Sequence, residues 1–370
     1  MRVTRLHLRD FRNIERAELR PAAGLTVVTG PNGAGKTNLL EGIYFGCTAR
    51  STRASNEREL VRRGEPATRV EVDVEGEGGT HRLAVGFEPN EPKRVSVDGA
   101  PVDNLLASAA RPLVSVFLPE RLELVKGAPA ARRAHLDRLV AALWPARAEA
   151  RAAYSRALAQ RNALLGRIRA GAAGPTTLDT WDRELAACGL RVMEARSEAV
   201  VELAPRFAAR AADLGLPADA EVAYRPRSAA TDGEGLEAEL RERRQADLER
   251  GFTAHGPHRD ELRLTHAGEP LRAYGSQGQQ RTAVLALLFA ERDLLSERVQ
   301  RPPLMLLDDV MSELDSARRE LLAELLREGG QAVVTATDRA HVPVPAGADD
   351  VLFVEVMAGR VGVGAEEARA

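Results

Sequence analysis

Apolar and polar residues alternate one by one over Arg2–Leu8, Arg69–Val74, Arg82–Phe87 and Arg94–Val97, the period of a half-buried strand. Leu25-Thr26-Val27-Val28-Thr29 is a short continuous apolar run, and Val114–Leu118 is a further strand candidate closed by Pro119. Turn residues at Gly76–Gly79 and Pro89–Pro92 separate these segments. From Ala130 to Leu214 the period changes to helical spacing, as in Leu136, Leu139, Val140 and Leu143. Pro145 and the breaker Gly171-Ala172-Ala173-Gly174-Pro175 divide this stretch, which predicts helices over Ala146–Arg169 and Leu178–Leu214. Pro205 is expected to kink or interrupt the second. The pair reads as an antiparallel hairpin, either an arm ~40–50 Å long at 1.5 Å per residue or an ordinary helical subdomain packed on the core.

Beyond the hairpin, Asp219–Arg225 reads as a strand and Gly233–Arg250 as a charged helix. Strand and helix then alternate: a strand near Leu262–Thr265, a helix over Gln279–Ser296, a strand at Leu304–Leu307, a helix at Ser316–Glu328, and strands at Ala332–Thr335 and Val351–Val356. That alternation predicts an α/β fold with a mostly parallel sheet and helices on its faces. The core is expected from the two ends of the chain, residues 1–129 and 250–370, with a mainly helical domain at 130–249 inserted between them.

At 370 residues the chain has room for about two domains. Hydrophobic residues at 44% and charged residues at 29% exclude a disordered or collagen-like chain. Lys+Arg 52 against Asp+Glu 54 leaves a net charge of −2, so any nucleic-acid site has to be a local patch. Ala283–Ala290, among the longest apolar runs, is far short of a membrane span. The opening Met1–Leu6 runs straight into strand-like alternation without a secretory apolar region. Two cysteines, Cys47 and Cys188, argue against a disulfide framework. A soluble, cytoplasmic protein is expected. Almost all positive charge is arginine; Lys36, Lys93 and Lys126 are the only lysines, which raises the question of what each does that arginine would not.

Gly30-Pro31-Asn32-Gly33-Ala34-Gly35-Lys36-Thr37 fits G-x-x-x-x-G-K-[ST] without mismatch, between an apolar strand and a helix (Asn38–Phe45). Backbone N–H groups of such a loop turn inward around phosphates, and the helix N-terminus adds its positive end. Lys36 would reach the β- and γ-phosphates of ATP, and Thr37 would hold Mg²⁺. Pro303–Asp309 is an apolar strand ending in two acids, the pattern of a Walker B segment. Asp308 would bind Mg²⁺, and Asp309 would orient the attacking water. Gly275-Ser276-Gln277-Gly278-Gln279-Gln280-Arg281 precedes a helix, where Ser276 is a natural cap. Ahead of a Walker B segment, the stretch resembles the signature loop of ABC-type ATPases, and Ser312-Glu313-Leu314-Asp315 resembles their D-loop. That resemblance implies that Ser276, Gly278 and Gln279 contact ATP held by a second subunit. The fold class is thus an ABC-type ATPase head with an inserted α-helical arm.

The resemblance narrows with further stretches. Leu8-Arg9-Asp10-Phe11-Arg12-Asn13, Leu118-Pro119-Glu120, Leu124-Val125-Lys126-Gly127-Ala128-Pro129, Arg132-Arg133-Ala134-His135-Leu136-Asp137 and His255-Gly256-Pro257-His258-Arg259-Asp260 are similar to the RecF family of DNA-repair ATPases. The similarity covers most of the chain and is weakest in the helical segment and the C-terminal tail. It implies that Arg12 and Asn13 join the nucleotide site, and that ATP closes a head-to-tail homodimer on DNA, duplex or single-strand/duplex junction. It also implies slow, DNA-stimulated hydrolysis that opens the dimer, and cooperation with RecO and RecR in loading recombinase onto gapped, SSB-coated DNA. An SMC-like structural ATPase is the alternative within the superfamily, and the short insertion argues against it. An ABC transporter subunit and a P-loop small-molecule kinase are the rivals from other classes.

The chain also departs from the wider ABC pattern. Its first glutamine is Gln160, in the helical segment, so no Gln loop follows the P-loop. Asp309 stands where a glutamate is usual, and Thr335-Ala336-Thr337-Asp338 where a switch histidine is common. A slow switch is the expectation. His255, His258 and Asp260 lack a fourth metal-type ligand nearby and read as a hydrogen-bonding loop. Arg50, Arg53, Arg58, Arg62 and Arg63 form a basic stretch, read either as a solvated surface or as phosphate contacts. With four tyrosines, eight phenylalanines and two tryptophans spread over the chain, a single-strand stacking platform is not indicated.

Overall fold

The computed structural model describes residues 1–54, 56–76, 78–118, 122–216, 219–344, 348 and 350–363. Pro119 and Glu120 of the Leu118-Pro119-Glu120 stretch lie outside the described residues. The chain packs as two compact units, Met1–Glu120 with Leu295–Ala370, and Arg121–Leu294. Residues 250–294, grouped with the head in the sequence reading, pack within the second unit.

The first unit begins with β1 (Arg2–Phe11), β2 (Ile14–Leu19), β3 (Leu25–Thr29) and helix α1 (Lys36–Thr48). It continues with β4 (Thr68–Gly76), β5 (Gly79–Phe87), β6 (Arg94–Val97), β7 (Ala100–Pro101) and β8 (Val114–Phe117). Strands β1, β2 and β4–β7 form an antiparallel sheet in the order β2-β1-β4-β5-β6-β7. The alternating strands of the first third are its members, which explains their one-sided burial: Leu6 and Leu8, and Val70, Val72 and Val74, point to one buried face.

The second unit holds α2 (Glu123–Lys126), α3 (Pro129–Leu143), α4 (Ala148–Arg169), α5 (Leu178–Asp213), β9 (Ala220–Arg225), α6 (Gly233–Glu242) and α7 (Arg244–Arg250). It ends with β10 (Glu261–His266), β11 (Glu269–Pro270), α8 (Leu271–Tyr274) and most of α9 (Gln277–Val299). Helices α4 and α5 form the expected hairpin: Leu164 and Leu165 pack on Leu178 near the turn, and Tyr154 and Ala157 on Leu185, Ala186 and Cys188 farther along. Two expectations are corrected. Pro205 does not interrupt α5, which runs unbroken through it. The carbonyl it leaves without a donor is that of Val201, a residue 70% exposed and so open to solvent; Arg206 Nη1 donates to the next carbonyl, Glu202 O, at 2.6 Å. The expected helix Gly233–Arg250 is two helices, broken at Arg243.

The chain then returns to the first unit with β12 (Leu304–Leu307), α10 (Ser316–Glu328), β13 (Ala332–Ala336), β14 (Val351–Met357) and β15 (Arg360–Val363). With β3 and β8 they build a sheet in the order β15-β14-β3-β13-β12-β8, parallel except for β15. The strand expected near Leu262–Thr265 is not part of it. As β10 it pairs antiparallel with β9 and β11, because a six-residue register with β9 satisfies its backbone there. Helix α1 lies in the core shared by the two sheets of the first unit, where Leu39, Leu40, Ile43 and Phe45 are buried, each worth about 1.5–3 kcal/mol. Among the described residues no helix is long and apolar enough to cross a membrane.

Candidate nucleotide site

Register decides what meets at the carboxyl edge of the parallel sheet. Thr29 lies opposite Ala336, and Leu307 opposite both Val334 and Phe117. The residues that follow β3 and β12, and the end of β13, are therefore neighbours at the edge where open α/β sheets bind ligands.

Following β3, Gly30 has φ 150° and a Cβ there would lie 2.2 Å from the Val356 carbonyl oxygen. Gly35, with φ 117°, stands at the N-terminus of α1, where a Cβ would approach Asn13 Oδ1 to 2.7 Å. Only glycine fits either place. No side chain caps α1, so the N–H groups of its first turn point outward without a partner from the helix. Lys36, buried at 7% exposure, donates Nζ to the carbonyls of Gly30 at 2.7 Å and Pro31 at 3.1 Å. An ammonium held across its own loop, above an uncapped helix end, is the donor set a polyphosphate requires. A compact ammonium with three donors fits inside this loop where a planar guanidinium would not, which answers why Lys36 is not arginine.

Thr37 Oγ1 lies 2.8 and 3.0 Å from the two carboxylate oxygens of Asp308. Asp308 also accepts from Thr335 Oγ1 at 2.7 Å, and Thr335 in turn accepts from the Asp309 N–H at 2.9 Å. Hydroxyl and carboxylate oxygens suit Mg²⁺, so the Thr37–Asp308 pair fits that ion. Asp309 has φ 47°, a left-handed conformation uncommon outside glycine, and its Oδ1 is buried without a hydrogen-bond partner. A strained residue carrying an orphaned carboxylate oxygen beside a P-loop is poised for a ligand or water.

Asn13 Nδ2 donates to the Ala34 carbonyl at 3.1 Å, and Asn38 Nδ2 to Asn13 Oδ1 at 2.8 Å, so Asn13 braces the loop from outside. Arg12 makes a bidentate pair with Glu41 of α1, at 3.0 and 3.1 Å. Glu41 is 2% exposed and also accepts from Ser51 at 2.6 Å and Arg53 at 2.9 Å. Burial pushes its carboxyl up, but hydrogen bonds from Arg12, Ser51 and Arg53 outweigh that and hold it below the ordinary range. The basic stretch is thus divided. Arg53 is committed to Glu41 and Asn38, Arg58 bonds Asn90, and Arg62 pairs with Glu15 at 3.2 Å. Arg50 and Arg63 are exposed, with no ion pair among the described residues.

In the second unit, Ser276 and Gln279 form a reciprocal capping box. Ser276 N–H donates to Gln279 Oε1 at 2.8 Å, and Gln279 N–H to Ser276 Oγ at 3.2 Å. Ser276, Gln277 and Gly278 are exposed. The D-loop backbone turns at Met311–Glu313, with Ser312 Oγ donating to the Asp309 carbonyl at 3.0 Å. The His255–Asp260 loop is wired into the second unit. His255 bonds Glu239, His258 Nδ1 lies 2.7 Å from the Tyr154 hydroxyl, and Asp260 accepts from Arg196 at 3.1 Å and from Tyr224. Arg132 joins the same framework through Glu261, at 2.6 and 2.9 Å.

The first unit therefore gathers Arg12, Asn13, the Gly30–Thr37 loop, Asp308 and Asp309, while Ser276, Gly278 and Gln279 belong to the second. Glu41 escaped notice in the sequence, and Thr335 was noted there only as part of the stretch standing where a switch histidine is common, without its role between the two acids. A threonine closing an apolar strand and an acid within a helix carry no local signal; an acid surrounded by apolar helix positions was the only hint.

Comparison with known proteins gives the family. A family model described as the RecF/RecN/SMC N-terminal domain matches residues 2–354. A DNA replication and repair protein RecF from Anaeromyxobacter sp. (strain Fw109-5) is 43% identical over 373 residues, covering 98% of this chain and 99% of its own. One from Myxococcus xanthus (strain DK1622) is 41% identical, covering 99% and 98%. Among solved structures, the recombination mediator protein RecF with ATP, of the RecFOR pathway, aligns with a TM-score of 0.86 at 28% identity, over 98% and 97% of the two chains. A Smc head bound to the C-terminal winged-helix domain of ScpA shares the fold, with a TM-score of 0.61 at 17% identity over 99% and 98%. Matched by the family model over residues 2–354 and by relatives over nearly their whole length, the chain belongs to the RecF family of the RecF/RecN/SMC ATPases.

Proposed function

We propose that this chain is an ATP-driven DNA clamp of recombinational repair, working in the cytoplasm. The observation that carries the reading is the pairing of an uncapped P-loop helix with Asp308 and an orphaned Asp309 oxygen in one unit, and an exposed Ser276–Gln279 loop in the other. In functional terms residues 1–129 and 250–370 act as the ATPase head and 130–249 as its arm.

Mg²⁺-ATP would supply the anionic γ-phosphate that bridges two subunits and the anhydride bond whose cleavage undoes the bridge. Lys36 Nζ leaves the Gly30 and Pro31 carbonyls for phosphate oxygens, and Thr37 and Asp308 hold the metal. Asn13 and Arg12 set the loop from the side of β1. Asp309 accepts a proton from the attacking water; its side chain is one methylene shorter than glutamate, so turnover is slow. Ser276, Gly278 and Gln279 of a second copy complete the donor set, so association follows ATP binding. The dimer holds duplex or junction DNA, which stimulates a weak ATPase, and works with RecO and RecR to load recombinase on SSB-coated gaps. The solved relative named for the RecFOR pathway supports these partners. An SMC-like arm of great length does not fit, because the hairpin closes at residues 170–177.

Sedimentation velocity with Mg²⁺ plus ATP, ADP or neither, with and without a short duplex, tests the reading. ATP-specific dimers, strengthened by duplex and absent in Ser276→Arg, are expected. A monomer under every condition would remove the clamp and leave an ordinary P-loop enzyme.

A further inference from the structure

The second unit contains a cavity of about 170 Å³, lined by Arg133, Asp137, Arg151, Tyr154, Arg196 and His258. A single water requires only ~10–15 Å³, so there is room for a polyatomic guest. Three guanidiniums line this space against one carboxylate. Asp137 accepts from Arg151 Nε at 2.8 Å and from Arg196 Nε at 2.8 Å and Nη2 at 3.1 Å. Arg196, buried, is further held by the Pro257 carbonyl at 2.7 Å and by Asp260 at 3.1 Å. Arg133 differs from both. Among the described residues its only side-chain hydrogen bond is from Nη1 to the Asp260 carbonyl at 2.8 Å, and it has no ion pair.

His258 does not supply charge. Burial pushes its pKa down to about 4, its Nε2 donates to the Thr253 carbonyl at 2.9 Å, and Nδ1 is left to accept from the Tyr154 hydroxyl. With Asp137 and Asp260 set against Arg151 and Arg196, the charge of Arg133 is left over. Burial, and then the neighbouring Arg196, hold Arg133 below the usual arginine range against the opposing pull of Glu261 and Asp260, so these two carboxylates do not fully offset its charge. A half-buried guanidinium that faces a cavity without an ion pair of its own is costly unless an anion fills the place.

We propose that this cavity is an anion site for a phosphate group, with Arg133 as the principal donor and the exposed Arg151 at its rim. A planar carboxylate is satisfied by one guanidinium fork. Donors converging from α3, α4 and α5 instead suit a tetrahedral oxyanion, whose oxygens point in several directions. The phosphate is held either free or as part of a nucleic-acid backbone, and the same variants tell these sources apart. The site lies in the second unit and does not depend on the ATP switch.

Inorganic phosphate binding is measured by calorimetry on Lys36→Ala protein, in which the P-loop no longer competes. One site is expected to remain, weakened at least tenfold by adding Arg133→Gln and about threefold by adding Arg151→Gln. Melting curves confirm that the variants are folded, and Arg151→Gln, at the exposed rim, keeps the test alive if Arg133→Gln is not. No phosphate binding in Lys36→Ala, or equal affinity in all three proteins, would overturn the site. Duplex binding is then titrated with salt on otherwise wild-type protein. A slope lower by about one in Arg133→Gln assigns the pocket to a backbone phosphate. Unchanged duplex binding together with lost phosphate binding assigns it to free phosphate. Neither result bears on ATP-driven dimerisation, so the two readings fail separately.

Discussion

Thr335 holds the two acids of the nucleotide site apart. Fully buried, its hydroxyl donates to Asp308 and accepts from the Asp309 N–H, so one side chain orients two consecutive residues with different tasks. Thr335→Val keeps the shape and removes both bonds, leaving a backbone donor without an acceptor, a cost of about 1–3 kcal/mol. Urea denaturation should show that loss, and ATP turnover should fall at least tenfold. ATP affinity should change less, since Lys36 and the loop amides are untouched. Unchanged stability and turnover would mean that the hydroxyl is incidental. Lys36, Thr37, Asp308 and Asp309 were legible from spacing because their chemistry demands fixed neighbours in the chain. Thr335 and Glu41 were not, because their partners arrive from other strands and loops.

Helix α5 shows how context overrides a local rule. Proline inside a helix costs ~3 kcal/mol, and Pro205 was expected to kink or interrupt α5, which it does not interrupt. The apolar face from Leu185 to Phe207 packs against neighbours and holds the helix across the defect, whose unpaired carbonyl faces solvent at Val201. Pro205→Ala should therefore stabilise the protein by about 1–2 kcal/mol, the helix gain reduced by the greater freedom of the unfolded chain. Chemical denaturation checks this; destabilisation would show that the proline sets a bend that packing needs. The strands teach a similar lesson. Alternation identified β1, β4, β5 and β6, because period two reports one buried face. Strands β3, β12 and β13 are buried on both faces and showed only as apolar runs, and β2, β7, β11 and β15 were not expected. Neither signal said which strands are neighbours, so β10 was assigned to the parallel sheet and lies in an antiparallel one with β9.

The proposed clamp makes a prediction that only an assembly can meet. Lys36→Ala lacks the P-loop half of a composite site, and Ser276→Arg lacks the signature half. Neither alone should dimerise with ATP. Mixed, they should form heterodimers in which the Ser276→Arg protomer supplies Lys36 and the Lys36→Ala protomer supplies Ser276, so that one site is whole. Sedimentation of the mixture tests this, and a mixture that stays monomeric would exclude a site shared between copies. The P-loop, the acid pair, the helical hairpin and the α/β class could be read from the chain because each is set by neighbours within a few residues or by a simple period. The meeting of Thr37 with Asp308, 271 positions apart, was expected only because the two motifs were paired as holders of one ion; the bond of Thr335 to Asp308 could not be read. Nor could the engagement of Arg12 by Glu41, or Arg133 left without an ion pair among the described residues at a cavity. These depend on strand register and on which charges are buried together, and folding sets both through the summed packing of residues that have no mark in sequence.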